Sequence, residues 1–180
     1  MIIDYLKEIE RRSIYRIIPI LGKVKGEWLL NAVNKIKPKR ILELGTANGY
    51  SGIILGNSGA KLVTIDIDEK LSFEAKENFQ EFNVNADVVV GDAVEIVSKL
   101  AKKKENYGIF DLIFIDFEKR KYLDVLEDCL KLLKNHGYII ADNITFDAVK
   151  DFKDTILKHP RLETDIIEVG DGLSLSKKIY

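Results

Sequence analysis

Apolar positions along the chain change their period several times, and each change marks an element. Over residues 2–16, Ile2, Leu6 and Ile9 recur at helical spacing, with Arg11, Arg12 and Arg16 on another face. This predicts an amphipathic helix broken by Pro19. Leu29, Ala32, Val33 and Ile36 follow at i, i+3, i+4 and i+7, predicting a second helix over about 26–36 that stops before Pro38. Short runs rich in Ile and Val near 40–44, 61–66, 86–90, 111–116 and 137–142 then predict strands covered on both faces. Helical stretches over 50–57, 69–82, 92–104 and 120–134 lie between them. Alternation of this kind implies a parallel, doubly wound sheet with right-handed crossovers. After a helix near 146–158, two strands near 162–168 and 173–179 are joined by Gly170-Asp171-Gly172, a turn tight enough to make them antiparallel.

The expected fold is therefore α/β: a Rossmann-like sheet of seven strands, mainly parallel with one antiparallel strand near the C-terminus. A chain of 180 residues, 46% hydrophobic, fits one domain, with residues 1–38 as a helical cap on a core of 39–180. The net charge of −1 argues for no polyanionic partner, but residues 1–40 hold 10 Lys and Arg against 4 Asp and Glu, leaving −7 on the remaining 140. Cys129 is the single cysteine, which excludes an intrachain disulfide framework and favours a reducing compartment. The first residues, MIIDYLKEIERR, do not read as a signal peptide, and no run reaches the roughly 18 apolar residues of a membrane span. A soluble cytoplasmic protein with no membrane partner is expected.

The candidate chemistry centres on RILELGTANGYSGI, residues 40–53, a strand, a glycine-bracketed turn and a helix start. At such a turn, backbone N–H groups and the helix N-terminus receive the polar part of a ligand. A dinucleotide loop wants G-x-G-x-x-G, whereas Gly45 and Gly49 stand four apart with Ala47 between and Glu43 two residues ahead. The pattern E-x-G-x-x-x-G-Y-S instead resembles the nucleotide loop of class I S-adenosylmethionine-dependent methyltransferases. Asp66 at the end of the second strand is placed to accept ribose hydroxyls, with Asp68 as the cap of the next helix. Gly91-Asp92-Ala93 would edge an adenine, and Asp92 serves equally well as an N-cap.

The fourth and fifth strands end in acids. FDLIFIDFEKRKY delivers Asp116, and GYIIADN delivers Asp142 and Asn143. Two carboxylates and an amide oxygen make an all-oxygen set suited to Mg²⁺ or another hard divalent cation. Lys119, three residues past Asp116, can reach the same cleft and suits a general base.

With these residues in place, the chain resembles the cation-dependent O-methyltransferases related to catechol O-methyltransferase, from KVKGEWLLNAV at Lys23 through LELGTANGYS, FIDFEKRKY and ADN to GDGLSLSKKIY. The resemblance implies an enzyme that transfers the methyl group of S-adenosylmethionine to a hydroxyl of a catechol-like or other vicinal-oxygen acceptor. Glu43, Gly45, Thr46, Ala47, Gly49, Tyr50 and Ser51 would hold the cofactor, together with Asp66, Ile67, Gly91, Asp92, Ala93 and Asp116. Asp116, Asp142 and Asn143 would hold the metal and Lys119 would be catalytic. Family members often dimerise through N-terminal helices, so a homodimer is implied as well.

Three departures bear on the acceptor. Phe117 and Glu118 stand where catechol-type relatives carry a histidine and an aromatic residue, only 18 residues separate Asn143 from Leu162, and the N-terminal region is short. Little chain is left for a substrate lid, which favours a large acceptor such as a hydroxylated tRNA nucleoside whose phosphates could meet the basic N-terminal face. A metal-independent methyltransferase, a non-catalytic S-adenosylmethionine-binding module and a nicotinamide oxidoreductase stay open, the last least favoured by the glycine spacing.

Overall fold

The computed structural model describes residues 2–180. Strands β1 (Arg40–Leu44), β2 (Lys61–Asp66), β3 (Ala86–Val90), β4 (Phe110–Ile115), β5 (Leu133–Asp142), β6 (Leu162–Ile167) and β7 (Leu173–Lys178) form one sheet in the order β3-β2-β1-β4-β5-β7-β6. Every pairing is parallel except those of β7, which runs antiparallel to both β5 and β6. The seven-stranded α/β sheet with one antiparallel strand is thus observed as expected. Strand order reverses beside β1, whose neighbours are β2 and β4, and ligands of open α/β sheets bind at the carboxyl ends of strands at such a point.

Two apolar layers close the sheet. On one side Leu42, Leu44, Ile113 and Ile115 pack beneath α6 (Ala93–Ala101), α7 (Tyr122–Leu132) and α8 (Lys150–Lys158). On the other, Ile41, Leu112, Phe114 and Ile140 meet α3 (Lys23–Ile36), α4 (Tyr50–Gly56) and α5 (Glu69–Glu81). Strand residues pointing alternately to the two faces explain why these runs read as continuously apolar. None of the described helices is long and apolar enough to cross a membrane.

Several boundaries differ from the sequence reading. The helix expected over 2–16 is two pieces, α1 (Ile2–Tyr5) and α2 (Lys7–Tyr15), because the Leu6 N–H is shared between the carbonyls of Ile2 and Ile3. The tighter turn moves the buried stripe to Ile3, Leu6 and Ile9. The chain then leaves α2 through Ile17 at φ 57°, an uncommon left-handed conformation for a β-branched residue, before Pro19 is reached. β5 begins at Leu133, four residues before the expected start at 137, and its register to β4 shifts between Phe110 and Leu112. The helices expected over 92–104 and 146–158 keep α-geometry only over 93–101 and 150–158, with single 3₁₀ turns at Lys104–Asn106 and Asp147–Val149.

At the far end of β7, the buried Lys178 donates from Nζ to the carbonyls of Leu130 and Leu133, each at 2.9 Å, where α7 gives way to β5. Lys178→Met keeps the stem but strands both carbonyls, so it should lower the unfolding free energy by about 1–3 kcal/mol in urea titration. An unchanged midpoint would show that the lysine does not hold this junction.

Candidate functional site

The loop after β1 is held from behind by a buried acid. Glu43 is fully buried within β1; its carboxyl oxygens accept from Ser51 Oγ and Thr64 Oγ1, both at 2.6 Å, and Thr64 Oγ1 in turn meets Thr46 Oγ1 at 2.6 Å. Burial pushes the Glu43 carboxyl up to about 8, and the two hydroxyl bonds only partly oppose that rise. In front of the acid, Gly45 takes φ 99° and passes so close to β4 that a Cβ would stand 1.9 Å from the Asp116 carbonyl oxygen. Ala47 also has positive φ, and its N–H donates to Asp66 Oδ2 at 2.7 Å, while Asp66 Oδ1 accepts from Asp68 N at 2.9 Å.

These elements surround a cavity of about 370 Å³. Gly45, Thr46, Ala47, Tyr50 and Ser51 line one side. Asp66 and Ile67 follow from the end of β2, then Gly91, Asp92 and Ala93 from the end of β3, while Asp116 and Lys119 close the side nearest β4. Asp92 also caps α6, accepting from Val94 N and Glu95 N, and its other oxygen takes Lys121 Nζ at 2.8 Å. Lys121 and those helix N–H groups together hold its carboxyl below the usual range. Asp68 caps α5 as expected, accepting from Leu71 N. The volume and the mixture of apolar wall and few convergent polar groups suit a nucleoside-sized ligand.

Two expected cofactor residues stand elsewhere. Glu43 lies behind the wall, acting on it through Ser51 and Thr64, and Gly49 faces Phe79 and Ala75 of α5. Tyr50 reaches the cavity edge, but it is buried among the residues beneath the N-terminal helices. Unexpected wall comes from Pro19, Ile20 and Leu21, which follow α2. Their only sequence signal was the proline, read as a helix stop.

Beside the cavity, Asp116 and Asp142 follow the paired residues Ile115 and Ala141, so parallel register brings the two carboxylates to adjacent strand tips. Lys119 Nζ donates to Asp116 Oδ1 at 2.6 Å and lies 5.5 Å from the centre of the Tyr122 ring, which stacks on Phe117. Lys25 Nζ, from the first turn of α3, contacts both oxygens of Asp142 at 2.7 Å and Asp171 Oδ1 at 2.5 Å. Asn143 donates to Asp171 Oδ2 at 2.5 Å. Burial and the charge of Asp116 hold the Asp142 carboxyl above the usual range in spite of Lys25. Burial works against the Lys25 ammonium, but its two carboxylate partners outweigh it and hold it above the ordinary lysine range.

Sequence reasoning missed Lys25 and Asp171. The first looks like one more lysine in a basic helix, and the second is fully accounted for as a turn residue between glycines. As to a metal, no three His, Cys, Asp or Glu side chains among the described residues are grouped to hold one. A cation would therefore depend on the Asn143 amide oxygen beside Asp116 and Asp142. That all-oxygen set fits a hard ion, although Lys25 already sits on both oxygens of Asp142.

A family model described as O-methyltransferase matches residues 2–179. The chain belongs to this O-methyltransferase family. It is 32% identical over 129 residues to the catechol O-methyltransferase of Niastella koreensis, an alignment covering 69% of this chain and 58% of that protein. The catechol O-methyltransferase of Bos taurus is 29% identical over 175 residues, covering 89% of this chain and 63% of that one. The chain thus spans about three-fifths of the length of these two relatives. The crystal structure of an O-methyltransferase from Bacillus cereus in complex with SAH superposes with a TM-score of 0.83 at 26% identity, covering 96% of this chain and 90% of that one. This O-methyltransferase family member therefore shares its overall fold with that relative.

Glu43 makes a pH prediction. Its folded-state carboxyl is raised to about 8 from the ordinary value of 4.5, so its contribution to stability is complete below about 4.5 and is lost as pH rises through about 8. Between pH 5 and 8, urea titrations should show the parent losing stability relative to Glu43→Gln, approaching about 1.4 kcal/mol per pH unit. Parallel curves for the two proteins would remove the buried acid from this role.

Proposed function

We propose that the protein is an S-adenosylmethionine-dependent, divalent-cation-dependent O-methyltransferase acting on one hydroxyl of a catechol-like, vicinal-oxygen acceptor. The observation that carries this reading is the junction of a nucleoside-sized cavity with the acid pair Asp116 and Asp142 and the ammonium of Lys119. Family membership and the SAH-bound Bacillus cereus relative support the choice of cofactor.

When bound, S-adenosylmethionine supplies an electrophilic methyl group, and a divalent cation supplies Lewis acidity to an acceptor hydroxyl. The residues of the chain bind and align. Asp66 has lone pairs to spare for ribose hydroxyls beyond its bonds to Ala47 and Asp68. Ile65, Leu71, Ala93 and Phe117 provide apolar wall for the base. Asp116, Asp142 and Asn143 are the residues to hold the cation. Lys119 Nζ, once it has given up its own proton to solvent and become a neutral amine, is the atom that takes the acceptor proton, and Asp116 keeps it turned toward the cavity.

A metal-independent methyltransferase is the second reading, favoured by one observation: the Lys25 ammonium already neutralises Asp142. A hydroxylated tRNA nucleoside is the alternative acceptor. Against it, part of the basic N-terminal charge is spent within the chain, Arg11 and Arg12 on Glu8 and Arg16 on Glu74.

Transfer of a labelled methyl group to catechols and to tRNA, with and without a chelator, tests these readings together. Catechol labelling that a chelator abolishes and Mg²⁺ restores is expected. Labelling of tRNA alone would replace the acceptor, chelator-resistant labelling would select the second reading, and cofactor binding without labelling of either would leave a binding module. Lys119→Ala should retain cofactor binding and lose roughly 10²–10⁴-fold in turnover; parental turnover would show that another group takes the proton.

A further inference from the structure

Lys25 uses all three ammonium donors within the acid cluster. Two go to the oxygens of Asp142 and the third to Asp171, with side-chain exposures of only 11% for Lys25 and 3% for Asp142. Asp171 is different: its side chain is 32% exposed, and its turn is followed by β7 rather than embedded in the sheet. Gly170 lies directly over the lysine stem, where a Cβ would meet Lys25 Cγ and Cδ at 3.5 Å. The stem is thus confined, while the ammonium faces one carboxylate from the end of β5 and one from the turn between β6 and β7.

A divalent cation on Asp142 would meet an ammonium already bound to both of its oxygens. Like charges at such a distance repel strongly where water is scarce. Removing the lysine from every partner would leave a buried unpaired charge, the costly outcome. Asp171 resolves the conflict, since it offers the ammonium a second carboxylate within reach of the same confined stem.

We propose that Lys25 is a two-position counter-cation: it competes with the divalent cation for Asp142 and retreats onto Asp171 when the cation binds, so that the Lys25–Asp171 pair sets the metal affinity of the site. Lys25 and Asp171 are positioning residues here, acting through Asp142. The inference rests on the cation-dependent reading above.

Mn²⁺ binding to the full chain, followed by the loss of its free electron-paramagnetic-resonance signal, reads the competition without any turnover. Lys25→Met should bind Mn²⁺ about tenfold tighter or better, because the competitor is gone. Asp171→Asn should bind about tenfold weaker, because the ammonium is confined to Asp142. The double variant should match Lys25→Met within about twofold, since Asp171 has no lysine left to draw away. A purely structural ion pair would instead weaken binding in both single variants. Unchanged or weaker binding by Lys25→Met, or an equal loss from Asp171→Asn in both backgrounds, overturns the proposal. Parental binding with no gain in the variant defeats the counter-cation alone; absence of Mn²⁺ binding in every protein defeats the cation-dependent reading as well. Lys25→Gln, with urea midpoints for each variant, carries the same expectation should the methionine fail to fold.

Discussion

The passage of Gly45 across the end of β4 is the constraint from which the site follows. A residue with a Cβ cannot stand 1.9 Å from the Asp116 carbonyl oxygen, so only glycine lets the β1 loop lie against the tip of β4. The approach is reinforced on both sides, by Asp116 N donating to Leu44 O at 2.8 Å and Gly45 N donating to Ile65 O at 2.9 Å. Three strand tips are thereby tied at the point where sheet order reverses, which joins a ligand loop to an acid cluster. Glu43 completes the arrangement from inside β1, fixing the Ser51 and Thr64 hydroxyls with a carboxyl that burial keeps largely protonated near neutral pH.

Parallel register has an electrostatic consequence. Strands that end together carry their terminal acids together, so Asp116 and Asp142 repel each other at the edge of a poorly hydrated region. The chain answers with two lysines reached by different routes, Lys119 three residues beyond Asp116 and Lys25 from a helix 117 residues before Asp142. Asp171 adds a third carboxylate to these two ammonium groups, so the cluster keeps a surplus of negative charge. That surplus is what makes a further cation electrostatically welcome.

The repeating strands and helices were legible because their physics is local. β1 and β3 have the bounds that their apolar runs predict, and the Asp68 and Asp92 caps lie where acids precede apolar periodicity. Boundaries governed by tertiary contact were not legible. Leu133 reads as the last apolar turn of a helix but pairs with Phe110, and the kink at Leu6 depends on how Ile3 and Ile9 fit the layer beneath them. In the site, the residues on strand tips announced themselves. Glu43 was visible as an acid in an apolar strand, yet no pattern tells whether such an acid faces a ligand or two hydroxyls. Lys25 and Asp171 are 146 residues apart, and each has an ordinary local explanation.

The N-terminal segment is therefore more than a cover. Pro19, Ile20 and Leu21 form part of the cavity wall, and Lys25 completes the acid cluster. Further upstream, Ser13 of α2 accepts from Asn48 Nδ2 at 2.7 Å and donates to its own helix at Ile9 O, while Asn78 of α5 donates to Asn48 O. All three polar residues are buried, so this chain of bonds fixes the glycine loop to α2 and α5 in a place where loose polar groups would be costly. A segment that supplies wall, anchor and counter-charge cannot change its packing without changing all three. Variation in the first 25 residues should accordingly act on ligand geometry even where no residue of that segment touches the reacting atoms.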